Sequence, residues 1–154
     1  MRSAIAVLTL VAAATGSLAG QTIEGVWKPV EVVVDSGPGR GRHATDVQPG
    51  LLVFTKRHYS MMFVQGFAPR PVPGDSATAE QVALLFIPFT ANAGTYQRTD
   101  SSVTFTPMVA KHPAVQAGGP FTLKIRVKGD TLWGRGAPGT SGGQTWTWVR
   151  VERR

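Results

Sequence analysis

After its first twenty residues, the chain alternates between hydrophobic and polar positions with the period of two that half-buried β-strands show. Runs rich in valine, threonine and aromatic residues are separated by short polar or glycine-containing links. These runs predict strands at 24–34, 51–55, 59–67, 94–98, 102–108, 121–128, 131–135 and 145–151. Because short turns join most consecutive strands, we expect an all-β fold, an up-and-down antiparallel barrel of about eight strands whose closure removes the exposed edges.

One segment has a helical period instead. The apolar residues with this spacing are Val82, Leu85, Phe86 and Phe89. Within the run 75–89, Ser76 is the candidate N-cap, Glu80 lies near the first turn, and Pro88 should end the helix. We expect one short helix whose apolar stripe packs as core on one end of the barrel. Two glycine-rich segments, 36–43 and 114–120, are predicted to be loops.

The N-terminal segment has the layout of a secretory signal peptide. Arg2 precedes an apolar run at 5–14, which is shorter than the roughly 20 residues that a bilayer span requires. The small residues that follow predict cleavage after Ala19, and therefore one domain at 20–154 that is secreted or periplasmic. Gln21 follows the small residues where a lipid-bearing cysteine would stand, and the chain contains no cysteine for a lipid, a disulfide or a thiolate metal site. No other stretch is apolar enough to predict a membrane span.

The formal net charge of +7 is compatible with nucleic acid, anionic lipid or an anionic ligand as a partner. However, the lysines and arginines are scattered along the chain, which is typical of a solvated surface. Arg40 and Arg42 stand between glycines in the loop at 36–43, and an anionic group held there is the least favoured alternative. Barrels that bind nucleic acid usually interleave aromatic and basic residues. We therefore expect no nucleic-acid partner.

Several short motifs occur in the order found in a known family. They are Gly-Val-Trp-Lys at 25–28, Pro-Gly-Leu-Leu-Val-Phe-Thr at 49–55, Pro-Phe-Thr-Ala-Asn at 88–92, Gly-Thr-Tyr at 94–96, Val-Ala-Lys-His-Pro-Ala-Val at 109–115, Gly-Asp-Thr-Leu at 129–132 and Trp-Val-Arg at 148–150. Over nearly its whole mature length, the chain resembles the bacterial lipocalin-like domain family, in a secreted and uncharacterised branch. The resemblance implies a closed barrel around a cavity. It also implies a structural role for Gly25, Trp27 and Arg150, with Trp27 at the closed end and Arg150 over its ring.

The sequence departs from the family pattern at two points. Pro29 falls inside the first strand and cannot donate a ladder hydrogen bond, which predicts an edge or a bulge. A bulge would place Trp27 on the same face as Val30, Val32 and Val34. Arg57-His58 replaces the Asp-Gly hairpin turn of the family, which leaves the tightness of that turn open.

No motif for catalysis or cofactor binding is present. His43, His58 and His112 lack metal-ligand spacing, and no Gly-x-Ser-x-Gly or phosphate-cradle pattern occurs. We therefore assign no catalytic residue, no metal and no cofactor. The candidate ligand-binding residues, chosen by strand alternation and position, are Tyr59, Met61, Phe63, Tyr96, Arg98, Phe105 and Lys111.

Two hypotheses of function follow. The first is a binding protein for a small hydrophobic or amphipathic molecule. The second is a motif-poor isomerase- or cyclase-type barrel enzyme, with Tyr96, Arg98, Lys111 and His112 as candidate acids or bases. The same aromatic residues could instead fill the barrel, leaving a protein-interaction domain. The sequence leaves open whether the interior is filled, what the ligand is and which oligomeric state forms.

Overall fold

The computed structural model describes residues 21–136 and 143–153, so the predicted signal peptide at 1–19 lies outside the described residues. In these ranges the chain forms β1 (Gly25–Val34), β2 (His43–Ala44), β3 (Gly50–Phe54), β4 (His58–Val64), α1 (Ala79–Phe86), β5 (Phe89–Arg98), β6 (Ser102–Ala110), α2 (Pro113–Ala117), β7 (Phe121–Lys128), β8 (Thr131–Gly136) and β9 (Gln144–Glu152). β1 pairs antiparallel with β3, each strand from β3 to β8 pairs antiparallel with the next, and β9 pairs antiparallel with β1. Eight strands thus close a barrel, with β2 added beside β1. The predicted all-β, up-and-down antiparallel barrel of about eight strands is confirmed.

The two ends of the barrel differ in their connections. Tight turns at 55–58, 99–102 and 128–131 lie at one end, together with the start of β1 and the end of β9. We call this the closed end. The longer connections, which include β2, α1 and α2, lie at the opposite end, which we call the mouth.

The hairpin between β3 and β4 is tight although it lacks the Asp-Gly pair. The Thr55 N–H donates to the His58 carbonyl at 2.8 Å, and the Thr55 hydroxyl oxygen accepts from the His58 N–H at 3.1 Å. Only Lys56 and Arg57 therefore form the loop, and His58 belongs to β4. The threonine side chain supplies a local hydrogen bond that stabilises the turn.

The predicted bulge in β1 is confirmed. The register of β1 against β9 shifts between Pro29 and Glu31, which leaves Val30 as the extra residue. Beyond the bulge, Val32 and Val34 are buried. The expectation that Val30 shares this face is wrong, because the bulged residue is left out of the alternation and is only partly buried.

The short helix α1 is present, but its N-cap is Thr78 and not Ser76. The reason is a reciprocal capping box, in which the Gln81 N–H donates to the Thr78 hydroxyl oxygen at 3.3 Å and the Thr78 N–H donates to the Gln81 side-chain oxygen at 2.9 Å. The helix ends at Phe86, and Phe89 is the first residue of β5.

The expectation that α1 contributes core is wrong. No α1 residue is buried, and the side chains of Val82, Leu84 and Phe86 are 50–56% exposed, with Ile87 beyond them at 70%. The core cluster consists of strand residues and Ile23. At the mouth, where α1 lies, the interior is an open cavity that no α1 residue lines, so the apolar stripe meets no packed surface.

The segment 114–120 was predicted to be a loop, but its first part belongs to α2. His112 caps this helix, because its Nδ1 accepts a hydrogen bond from the Ala114 N–H at 3.3 Å. Pro113 follows at the first helical position, where a missing N–H costs nothing. The helix ends at Ala117 with Gly118 as its C-cap, so only the last residues of the segment are irregular.

Glu31 links three strands on the outside of the barrel. Its carboxylate accepts from the Thr147 hydroxyl on β9 at 2.8 Å and lies 2.7 Å from the His43 Nε2 on β2. The hydrogen bond from Thr147, followed by that from His43, lowers the pKa of Glu31 below its ordinary value of 4.5. A depressed pKa stabilises the fold above the ordinary value, and this stabilisation disappears as the pH falls through the lowered one.

We expect the Glu31→Gln variant to lose less stability on acidification than the wild type does. Urea unfolding at neutral pH and at about pH 3 measures the difference. Glu80→Gln is the matched control, because the Glu80 carboxylate forms no hydrogen bond within residues 21–136 and 143–153. Equal acid sensitivity of Glu31→Gln and the wild type would contradict the expectation.

Candidate functional site

The closed end is built around Trp27, which is fully buried. Its indole N–H donates to the Ile23 carbonyl at 2.8 Å, so the one polar atom of the ring is satisfied. The guanidinium carbon of Arg150 lies 4.1 Å from the ring centroid, the cation–π contact that the family resemblance implies. Arg150 also donates to the carbonyls of Thr22, at 2.7 Å, and Glu24. This end therefore holds the N-terminal segment of the domain against the barrel.

The surroundings of Arg150 are structural as well. Burial, followed by the nearby charge of Arg153, lowers the pKa of Arg150. Its Nε lies 3.1 Å from Asp130, whose two carboxylate oxygens accept from Arg153 at 2.6 and 2.7 Å. Gly25 has a φ of +126°, and a side chain there would overlap the Glu152 carbonyl oxygen. Within the described part of the chain, these contacts thus close this end of the barrel.

Aromatic side chains fill the barrel next to the closed end. The Tyr59 and Phe105 rings meet edge to face at 4.6 Å, and the Phe54 and Tyr96 rings do so at 5.0 Å. The Tyr96 hydroxyl donates to the Thr55 carbonyl at 2.7 Å. Of the candidate ligand-binding residues, Tyr59, Tyr96 and Phe105 therefore lie in the filled half.

The half of the barrel next to the mouth is open. An inner pocket of about 70 Å³ is lined by Trp146 and Trp148 among others, and a cavity of about 600 Å³ opens at the mouth. The residues that line both are Met61, Phe63, Phe121 and Leu123. The inner pocket and the mouth cavity therefore adjoin each other, and the barrel is neither wholly filled nor wholly hollow. Met61 and Phe63, two of the candidate residues, lie where the two spaces meet.

One wall of the mouth cavity is polar. Thr90 and Asn92 on β5 line it, with Gln65 at the rim, where the Gln65 amide donates to the Thr90 hydroxyl at 2.8 Å. Deeper in the barrel, the Tyr59 hydroxyl donates to Asn92 Oδ1 at 2.7 Å. Burial raises the pKa of Tyr59 to about 12, so this hydroxyl stays protonated and acts as a donor at neutral pH.

Lys111 lines the mouth cavity at its rim and ties α1 to the barrel. Its ammonium donates to the carbonyls of Phe86, of Ile87 at 3.3 Å and of Phe89 at 2.7 Å, and it lies 4.1 Å from the Phe86 ring centroid. Terminal helix carbonyls need such partners, and a cation suits the C-terminal end of a helix. The ammonium of Lys111 is thus engaged by the protein itself.

The structure does not bring the four candidate acids and bases together. Arg98 donates to the Gln21 carbonyl at 2.6 Å near the closed end, where Tyr96 also lies. Lys111 lies at the mouth, where its backbone N–H donates to the Ala91 carbonyl. His112, the N-cap of α2, is next to it. Ala91, to which Lys111 is bonded, is five residues from Tyr96 along β5, a distance of about 16 Å.

Sequence reasoning missed Asn92, Leu123, Trp146 and Trp148 as cavity residues. The strand at 94–98 was predicted too short, because the helical pattern was extended to Phe89. Extending the alternation of Tyr96 back along the same strand would have placed Asn92 on the inward face. The two tryptophans alternate along β9 and could have been found in the same way.

Two solved structures are similar to this chain. A lipocalin-like protein from Bacteroides uniformis is 12% identical, with a TM-score of 0.48 over 83% of this chain and 97% of its own. An uncharacterized protein from Bacteroides eggerthii is 11% identical, with a TM-score of 0.45 over 83% of this chain and 98% of its own. No protein-family model and no curated protein matches the sequence.

Neither of the helices in the described part of the chain is long and apolar enough to cross a membrane.

Proposed function

We propose that this protein binds one small hydrophobic or amphipathic molecule in the open half of its barrel, outside the cytoplasm. The cavity at the mouth carries the proposal. Its volume of about 600 Å³ falls in the range of small-molecule sites, roughly 300–1,000 Å³. The leader pattern at 1–19 supports the location.

The lining of the cavity fits a mainly apolar guest. Phe63, Phe121 and Leu123 provide apolar walls, and Met61 provides a flexible one that adapts to the shape of a ligand. Burying apolar ligand surface here contributes about 25 cal/mol per Å² before the cost of association is subtracted. The polar wall at Thr90 and Asn92 can meet a single polar group of the guest, which is why amphipathic molecules are included.

The binding of a ligand should change the fluorescence of Trp146 and Trp148, because both rings line the inner pocket. Native mass spectrometry of the protein purified from its own cell envelope identifies a retained guest. Titration of apolar and amphipathic compounds, followed by tryptophan fluorescence, then measures affinity. If no compound changes the fluorescence and the native mass is that of the chain alone, the proposal fails.

We expect Leu123→Trp to weaken binding at least about tenfold. The larger ring fills the place where the inner pocket meets the mouth cavity. A tenfold loss of affinity corresponds to only about 1.4 kcal/mol. Calorimetric titration measures the loss without relying on the added tryptophan. Lys124→Trp is the matched control, because it adds the same side chain at the adjacent exposed position of β7. Equal affinities of the two variants would place the ligand outside the barrel.

A further inference from the structure

Resting on the proposed function, we infer that Asn92 is the polar anchor of the site and donates a hydrogen bond to a neutral carbonyl oxygen of the ligand. The residue lies on β5 opposite Met61, in the wall of the mouth cavity. Asn92 lies two residues further along β5 than Thr90, which places it about 7 Å deeper in the barrel. A ligand that reaches Asn92 therefore places its polar group inside the barrel and not at the rim.

The hydrogen bonds of Asn92 show which of its atoms is available. Its side chain is more than nine-tenths buried, with 7% exposed. Oδ1 already accepts from the Tyr59 hydroxyl at 2.7 Å. Within residues 21–136 and 143–153, no acceptor is bonded to the Asn92 amide nitrogen, so both of its N–H groups remain for a ligand. The amide nitrogen is not among the fully enclosed polar atoms that lack a partner, so it reaches the accessible surface of the mouth cavity, where a ligand oxygen can accept from it.

Tyr59 acts as a positioning residue for this anchor. It is itself buried, and its ring is held edge to face against Phe105 at 4.6 Å. Because its hydroxyl donates to Oδ1, it fixes the orientation of the amide and leaves the nitrogen as the group available to the cavity. The anchor is therefore a preformed donor held in place by the filled half of the barrel.

The charge distribution selects a neutral acceptor. No cationic side chain in the described ranges pairs with Asn92, and the nearest cavity-lining ammonium, that of Lys111, is engaged by the carbonyls at the end of α1. A carboxylate seated at Asn92 would be buried against a neutral amide only, which is costly. A ketone, ester, aldehyde or amide oxygen needs only the one hydrogen bond that Asn92 offers.

The test compares three probes of one chain length: a medium-chain methyl ketone, the alkane and the fatty acid. Tryptophan fluorescence and calorimetry give their affinities for the wild type and for Asn92→Leu, a change of similar shape without the donor. We expect the ketone to lose about tenfold in affinity and the alkane to lose none, since only the ketone uses the hydrogen bond. Asn92→Asp, which replaces the donor by a carboxylate, should weaken the ketone in the same way and serves if Asn92→Leu does not fold.

The outcomes separate the inference from the proposed function. If none of the three probes binds to the wild type, the proposed function fails with the inference. If the probes bind but the ketone is as tight in both Asn92 variants as in the wild type, the inference alone is overturned. If the fatty acid binds most tightly and only Lys111→Met weakens it, the polar group of the ligand lies at the rim, which also overturns the inference.

Discussion

Replacing Trp27 by alanine should destabilise the barrel by about 3–5 kcal/mol, the range found when large aromatic side chains are removed from protein cores. The ring is fully buried, its N–H is bonded to the Ile23 carbonyl, and Arg150 lies over its face. Its removal leaves a cavity and a buried guanidinium without its aromatic partner. Since domains of this kind are stable by roughly 5–15 kcal/mol, the loss is a large share of the total. Urea unfolding of the two proteins measures it.

Trp133→Ala is the matched control for this expectation. Trp133 is only partly buried, and its ring lies 3.8 Å from the guanidinium carbon of Arg126. Removing it should cost about 0.5–2 kcal/mol, the range of cation–π pairs from exposed to desolvated, which is well below the cost at Trp27. Similar losses at Trp27 and Trp133 would mean that the closed end is not the centre of the core.

Replacing Gly94 by alanine should destabilise the fold by about 3 kcal/mol, at the upper end of what overpacking usually costs. The register of β5 against β6 shifts between Ala93 and Gly94, which brings the backbones close together. A side chain at Gly94 would overlap the Thr106 carbonyl oxygen and lie 2.8 Å from the Met108 nitrogen. These are backbone atoms and cannot rotate away, so the two strands must separate. The midpoint of thermal unfolding measures the effect.

Gly74→Ala provides the comparison, because no atom of residues 21–136 and 143–153 lies within 4 Å of the position that its side chain would take. Its effect should stay within about 0.5 kcal/mol, as for most surface changes. If Gly94→Ala unfolds at the same temperature as Gly74→Ala, the close approach of β5 and β6 is not a feature of the folded protein.

The two halves of the barrel have different roles, one in stability and the other in the proposed binding of a ligand. Around Trp27 and Phe105 the interior is close-packed, and it holds Tyr59 and through it Asn92 in place. Next to the mouth the same strands leave space for a guest. Changes in the filled half should therefore lower stability first, whereas changes at Leu123 should lower affinity first. A bound ligand should in turn raise the unfolding temperature, because it binds only the folded state.

Local sequence features were sufficient to predict much of the fold. Alternation and turn residues placed all eight barrel strands, and the missing N–H of Pro29 predicted a bulge that is present. These features depend on the backbone and its nearest neighbours, and such interactions are short in range. The capping box of Thr78 and Gln81 was equally local, and it was missed because Ser76 offers a similar cap.

The candidate site was less predictable. In the run Tyr59-Ser60-Met61-Met62-Phe63-Val64 both faces carry large apolar side chains, so alternation alone does not tell which face lines the interior. The environment of the apolar stripe of α1 was unpredictable for the same reason. Helical spacing shows which residues share a face, but it does not show what that face contacts. Its apolar side chains lie exposed at the mouth.

By itself the sequence determined the strands, their order along the chain and the turns that make an antiparallel barrel the natural arrangement, because period and turn chemistry are local. Only the tertiary structure decided how far the barrel is filled and which polar groups face the open part. Closure brings side chains distant in sequence, such as Tyr59 and Asn92, within 2.7 Å, and it leaves a cavity where the inward residues are too few to meet across the barrel. Those contacts depend on the packing of all eight strands at once, which no single segment encodes.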